Sequence, residues 1–216
     1  MTKKQLALEA INRLKILYPD AICSLDYQNP LHLLISVRLA AQCTDARVNQ
    51  VTPALFASYP TLEALADAEP EDIEPYIHSC GFFRQKAKDI VYTCRAIKER
   101  FNGLVPDNME DLLSLSGVGR KTANLILGDV YGKPAIVCDT HCIRISGRLG
   151  LTDGTKDPFK TEMQLQKLLP PEESSDFCHR LVMFGRDVCT ARAPKCSECS
   201  LSNICKYKED NVNVNN

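Results

Sequence analysis

No stretch of the sequence approaches the ~20 uninterrupted apolar residues that a membrane helix requires, and none is expected to meet a membrane. The opening Met1-Thr2-Lys3-Lys4-Gln5-Leu6 runs into a mixed polar segment, not the apolar core of a signal peptide, so a cytosolic protein is expected. Neither sign of charge is in excess. The 26 Lys and Arg stand against 27 Asp and Glu, a formal net charge of -1, and the bulk composition announces no polyanionic partner. Strand signals are scarce: Pro134-Ala135-Ile136-Val137 is the one β-like run, too short and isolated to make a sheet. No repeat of fixed period is present, and low complexity is confined to Asn211-Val212-Asn213-Val214-Asn215-Asn216, which reads as a disordered tail. What remains, 216 residues with 44% hydrophobic and 25% charged, is ordinary globular composition; it excludes disorder and collagen-like fibre and suits one or two domains.

The hydrophobic spacing that is present is helical almost throughout. Ala7, Ile11, Leu14 and Tyr18 recur at intervals of four and three, and Ile90, Cys94, Ile97 and Phe101 repeat the pattern, so each segment predicts a helix with one buried stripe. Pro30 opens a run to Cys43 that is apolar nearly all round, as in a helix buried at the centre of a bundle. Breakers such as Tyr59-Pro60, Glu69-Pro70, Asn102-Gly103 and Pro170-Pro171 come often. The fold class is all-α, many short helices joined by tight turns.

Eleven cysteines are many for a chain of this kind. Disulfide frameworks belong to short secreted chains, which leaves metal or redox chemistry as the better reading. Seven cysteines are scattered, and of these Cys94 falls on an apolar stripe, where a free thiol packs as a small hydrophobe. Cys138 and Cys142, four apart, lack further ligands nearby and read as core. Cys189, Cys196, Cys199 and Cys205 instead crowd one polar loop with spacings of six, two and five. A zinc site normally pairs its ligands in two close knuckles, and only the middle pair is that close here. The wider outer spacings suit a 4Fe-4S cluster better, with zinc as the alternative.

The segment Leu115-Ser116-Gly117-Val118-Gly119-Arg120-Lys121-Thr122-Ala123 runs from one apolar helix, through two glycines, into another. The glycines are expected to permit positive φ in a tight turn, leaving the backbone N–H groups of the second helix pointing at an anion such as a phosphate. A dinucleotide-binding loop would need a preceding strand and a third glycine, both missing. Lys121 sits in the first turn of the second helix, where the positive end of the dipole disfavours a cation; a neutral amine is what a Schiff-base nucleophile requires. A solvated surface lysine is the plainer alternative. Further on, Asp139 in Val137-Cys138-Asp139-Thr140-His141 is a good N-cap, which is compatible with a catalytic role, and His141 reads as structural or as a phosphate contact.

Taken together these segments resemble the endonuclease III family of DNA glycosylases: the helix-hairpin-helix around Gly117 and Gly119, the segment carrying Asp139, and the spacing of the last four cysteines occur in the family's order. The resemblance extends to Leu39-Ala40-Ala41-Gln42-Cys43-Thr44-Asp45 and Cys80-Gly81-Phe82-Phe83-Arg84-Gln85-Lys86-Ala87. It implies two all-α domains flanking a DNA-binding cleft: a six-helix domain at 23–133, and a discontinuous cluster domain made of 1–22 and 134–216. It also implies a monomer that removes oxidised pyrimidines from damaged double-stranded DNA and cuts the strand at the abasic site, in the cytoplasm of a bacterium or archaeon. Lys121 takes the place of the nucleophile and Asp139 that of the aspartate. Gln42 would fill the gap left by the extruded base, with Phe82 as wedge; Gly117, Gly119, Arg120, His141, Arg144, Arg192 and Lys195 would contact DNA, and the four cysteines would hold the cluster.

Two departures carry expectations of their own. Ser116 replaces a usual proline and is expected to loosen the hairpin; Phe82 replaces a common leucine. Adenine glycosylases of the same fold usually lack a lysine at the position of Lys121. The competing class is a non-catalytic DNA-binding or redox-sensing protein built on the same hairpin. Charge is also less even than its total. Residues 53–83 hold six acids and no Lys or Arg, whereas 112–150 and 184–208 each carry a net +3, an acidic flank and a basic face.

Overall fold

The structure, a computed structural model, describes residues 1–208, so the Asn211–Asn216 tail lies outside it. All regular structure among the described residues is helical. In chain order the helices are α1 (Lys3–Leu17), α2 (Pro30–Ala40), α3 (Asp45–Ser58), α4 (Leu62–Asp67), α5 (Pro70–Ile77), α6 (Phe83–Arg100), α7 (Met109–Leu113), α8 (Arg120–Asp129), α9 (Thr140–Leu149), α10 (Pro158–Gln166) and α11 (Ser174–Asp187). Short 3-10 turns lie at His78–Cys80, Pro171–Glu173 and Ser202–Ile204. Among the described residues no helix is long and apolar enough to cross a membrane.

The chain forms two units, one of residues 23–132 and one that joins 1–22 to 133 onward. The unit of residues 23–132 holds seven α-helices where the resemblance implies six. Helices α4 and α7, six and five residues long, are too short for hydrophobic periodicity to register. Helix α6 organises this unit. Its buried stripe, including Ala87, Ile90, Val91, Cys94 and Ile97, packs against α4 and α5, and each of the larger side chains contributes roughly 1.5–3 kcal/mol by leaving water. Helix α2 starts where Asn29 Oδ1 accepts from His32 N at 2.9 Å, with Pro30 in the first turn, and buries seven of its residues. It ends at Ala40, short of Cys43, because Gln42 adopts a left-handed φ of 54° that no helix can continue through.

In the other unit α11 buries Phe177, Cys178, Leu181 and Phe184, packing on α9 and on α1. Helix α1 opens with a capping box between Thr2 and Gln5 and presents Ala7, Ala10, Ile11 and Leu14 to the core. Cys138, Cys142 and Cys178 meet in this core, the Cys142 thiol hydrogen-bonding to both of the others. Cys80 and Cys94 are likewise buried, and burial pushes the Cys94 thiol up to about 12. Cys23 and Cys43 are half-buried.

Candidate active site and cluster loop

In the unit of residues 23–132, the hairpin between α7 and α8 is fixed by a buried ion pair. Arg38 of α2 donates to Asp89 of α6 through Nε at 2.7 Å and NH2 at 2.5 Å, and Asp89 is only 4% exposed. Its second oxygen accepts from Gln85 Nε2 at 3.1 Å and from the Ser116 hydroxyl at 2.8 Å, while Thr93 Oγ1 donates to Ser116 O at 2.9 Å. Ser116 therefore does not loosen the hairpin as expected. Its hydroxyl reaches a carboxylate that a proline ring could not, and the turn is tied to two helices.

The two hairpin glycines differ. Gly117 lies at φ +67° directly over the ion pair: a Cβ there would stand 2.5 Å from Arg38 Nε and 2.8 Å from Asp89 Oδ2. Gly119 lies at φ -97°, an extended conformation open to any residue, with no atom near its missing Cβ. The positive φ expected of both belongs to Gly117 alone. Gly119 is the N-cap of α8 and offers no side chain to cap it, so the first-turn N–H groups meet no cap side chain. Arg120 and Lys121 follow as the first two residues of α8, Arg120 half-buried and Lys121 exposed.

Gln42 and Phe82 are two of only three described non-glycine residues with positive φ, at 54° and 50°. Such backbones cost on the order of 1–3 kcal/mol each and persist where surrounding structure enforces them. Both side chains are exposed, Phe82 to 70%. Gly81 (φ +51°) sets its α-carbon so close to the other loop that an added Cβ would touch Gln42 O at 3.9 Å. The two loops thus lie side by side.

In the unit containing α9 and α11, Asp139 caps α9: Oδ1 accepts from Cys142 N at 2.7 Å. One turn into that helix, Arg144 faces inward. It donates to Cys189 O at 3.0 and 3.3 Å and to Gly185 O at 3.3 Å, and lies 3.0 Å from His141 Nδ1. This geometry adds a bracing role to the DNA contact expected of Arg144, because its guanidinium holds the backbone at the first cysteine of the loop. His141 is held by that same guanidinium. Arg148, one of the basic residues behind the net +3 of 112–150, does similar work: it donates to Cys189 Sγ (3.3 Å), Thr190 O (2.7 Å) and Ala191 O (2.9 Å), while Cys205 Sγ lies 3.4 Å from its carbonyl. The signal for it was its spacing, one turn beyond Arg144 on the same helix face.

Cys189, Cys196, Cys199 and Cys205 line one pocket, floored by Leu149, Phe184 and Leu201. Burial raises the thiols of Cys199 and Cys205, and the charges of the other loop cysteines raise them further, so four thiolates here call for cations among them. Four thiols lining one pocket, with outer spacings of six and five residues, suit a cluster. Arg192 and Lys195 are exposed on the same loop.

Residues 35–171 match the HhH-GPD superfamily of base excision DNA repair proteins, and residues 189–205 match the iron-sulfur binding domain of endonuclease III. The endonuclease III of Synechocystis sp. is 52% identical over 205 residues, 94% of this chain and 93% of that protein. The chain belongs to the endonuclease III family. Two solved members superpose with a TM-score of 0.90 each: a trapped endonuclease III–DNA covalent intermediate (40% identity, 98% of this chain and 99% of that one) and a non-covalent endonuclease III–DNA complex (39% identity, 99% of both). As in other family members, a 4Fe-4S cluster is the cofactor, and the four-thiol pocket fits it.

The cluster loop has little core of its own. From residue 189 to 205 only Leu201 is buried, so the bound cluster is expected to be what holds it. Protein purified without oxygen should be yellow-brown, and Cys199→Ala should lose the visible absorption and expose the loop to protease. A colourless, zinc-loaded wild-type protein would overturn the assignment.

Proposed function

We propose that this chain is a base excision repair enzyme that removes oxidised pyrimidines from double-stranded DNA and cleaves the strand 3′ to the resulting abasic site. It acts as a monomer in the bacterial cytoplasm. The observation that carries the reading is the placement of Lys121, exposed in the first turn of α8 immediately after the glycine hairpin, in a chain that superposes on a trapped covalent DNA intermediate of its family. Extruding the damaged base costs a few kcal/mol; Gln42 enters the gap and Phe82 wedges the stack. The Lys121 amine then attacks the sugar C1′, and the base departs with the bonding pair and takes up a proton. Asp139 stabilises the positive charge that develops or accepts the lysine proton. The C1′–O4′ bond then opens, O4′ taking up a proton, to leave a Nζ=C1′ Schiff base that acidifies the C2′ hydrogen; loss of that proton expels the 3′ phosphate. Cys189, Cys196, Cys199 and Cys205 would hold the cluster, whose service would be to fix a loop with little core of its own.

Borohydride should capture a covalent complex with duplex carrying an oxidised pyrimidine and none with undamaged duplex. Equal binding of both duplexes without scission would instead favour a non-catalytic DNA-binding protein. Arg192 and Lys195 on the cluster loop contact phosphates. Replacing both by alanine is expected to weaken every duplex alike and to reduce the salt slope of log K by about 2, as read from binding titrations over a salt series. A loss confined to damaged DNA would contradict a backbone role.

A further inference from the structure

Lys86, in the second turn of α6, is among the largest fully buried side chains of the protein, 1% exposed. Its ammonium donates to two backbone carbonyls, Leu39 O at 2.8 Å and Cys80 O. Those carbonyls are not arbitrary. Leu39 is in the last turn of α2, where the negative end of the helix dipole attracts a cation, and three residues later comes Gln42; Cys80 ends the 3-10 turn that leads through Gly81 into Phe82. Burial lowers the lysine from its usual range, so a position with two carbonyl acceptors and a helix C-terminus is what keeps an ammonium there. The same ammonium therefore grips the base of both loops whose tips are strained into left-handed backbone.

We infer that Lys86 is a positioning residue for base extrusion: its buried ammonium clamps the α2 terminus to the 3-10 turn, so that Gln42 and Phe82 are presented to the DNA stack as one rigid wedge. The inference rests on the reading of Gln42 and Phe82 as the stack-filling pair. The neighbouring thiols fit this view, since Cys43 hydrogen-bonds to Cys80 across the same junction.

The test compares a substrate that needs the wedge with one that does not. Lys86→Met is expected to slow excision of an oxidised pyrimidine from fully paired duplex at least tenfold, and to leave cleavage at a preformed abasic site in single-stranded DNA within about twofold. On a Gln42→Ala/Phe82→Ala background the same substitution should add less than about twofold, because the groups it positions are gone. Equal slowing on both substrates, or a full additional loss on the double-alanine background, would overturn the clamp. If Gln42→Ala/Phe82→Ala leaves paired-duplex excision unchanged, the assignment of the wedge itself fails, and the clamp with it. Should the methionine variant not fold, Gly81→Ala strains the same junction at φ +51° without touching the ammonium. It should show the same selective loss on paired duplex, and an equal loss on both substrates would again count against the clamp.

Discussion

Lys121→Ala should yield no borohydride-trapped DNA complex and no strand cleavage, with base release slowed by at least roughly a thousandfold, the scale of losing a covalent nucleophile. Lys121→Arg should do no better, since a guanidinium does not deprotonate to a nucleophilic amine at neutral pH. The effect is separable from folding. Lys121 is exposed at the second position of α8, where alanine is a better helix former and removes a cation from the positive end of the dipole, so thermal stability should hold or rise slightly. Undamaged duplex should bind several-fold more weakly at most, one phosphate-facing charge having gone. A Lys121→Ala protein that still traps as well as wild type would remove the amine from the mechanism altogether.

Gly117→Ala should be the most destabilising single-methyl change in the hairpin. The added carbon meets Arg38 Nε and Asp89 Oδ2 well inside van der Waals contact, and the guanidinium cannot swing away because Asp89 holds it. Disrupting a buried pair costs about 3–5 kcal/mol, and left-handed alanine adds about 1–2 kcal/mol. In a chain of this size each kcal/mol shifts the melting temperature by roughly 2–4 °C, so a fall of about 10 °C or more is expected by calorimetry. Gly119→Ala is the internal control. With an extended backbone and nothing near the new methyl, it should melt within about 3 °C of wild type. Its methyl does stand at the open N-terminus of α8, so duplex affinity should fall while stability does not. Similar melting temperatures for the two variants would mean that the ion pair does not govern the hairpin.

The contrast between those glycines marks what sequence spacing can carry. Local devices were legible: the helix that Asp139 caps, the turn before α8, the four-cysteine spacing and the stripes of α1 and α6 each depend on residues within a few positions of one another. The supports were not. Ser116 meets Asp89 across 27 positions, Arg38 meets Asp89 across 51, Lys86 reaches Leu39 across 47, and Arg144 and Arg148 meet the residues around Cys189 across more than 40. Nothing in a short window distinguishes an arginine aimed at phosphate from one turned onto a carbonyl. That is why the hold of Arg144 on the Cys189 backbone was not legible, and why Ser116 read as a loosened turn.

The stitching of α1 to α11 sets an order on biosynthesis. The first helix leaves the ribosome with its apolar stripe of Ala7, Ala10, Ile11 and Leu14, yet the helix that covers it is completed only at Asp187. At translation rates of about 5–20 residues per second that interval is on the order of ten seconds, long enough for the whole of residues 23–132, an uninterrupted stretch with its own core, to emerge and fold meanwhile. The α1 stripe therefore stays without its α11 cover throughout that interval. The cysteines that take up iron and sulfide follow α11, so a chain released before them would carry a finished hairpin and no means of receiving its cofactor.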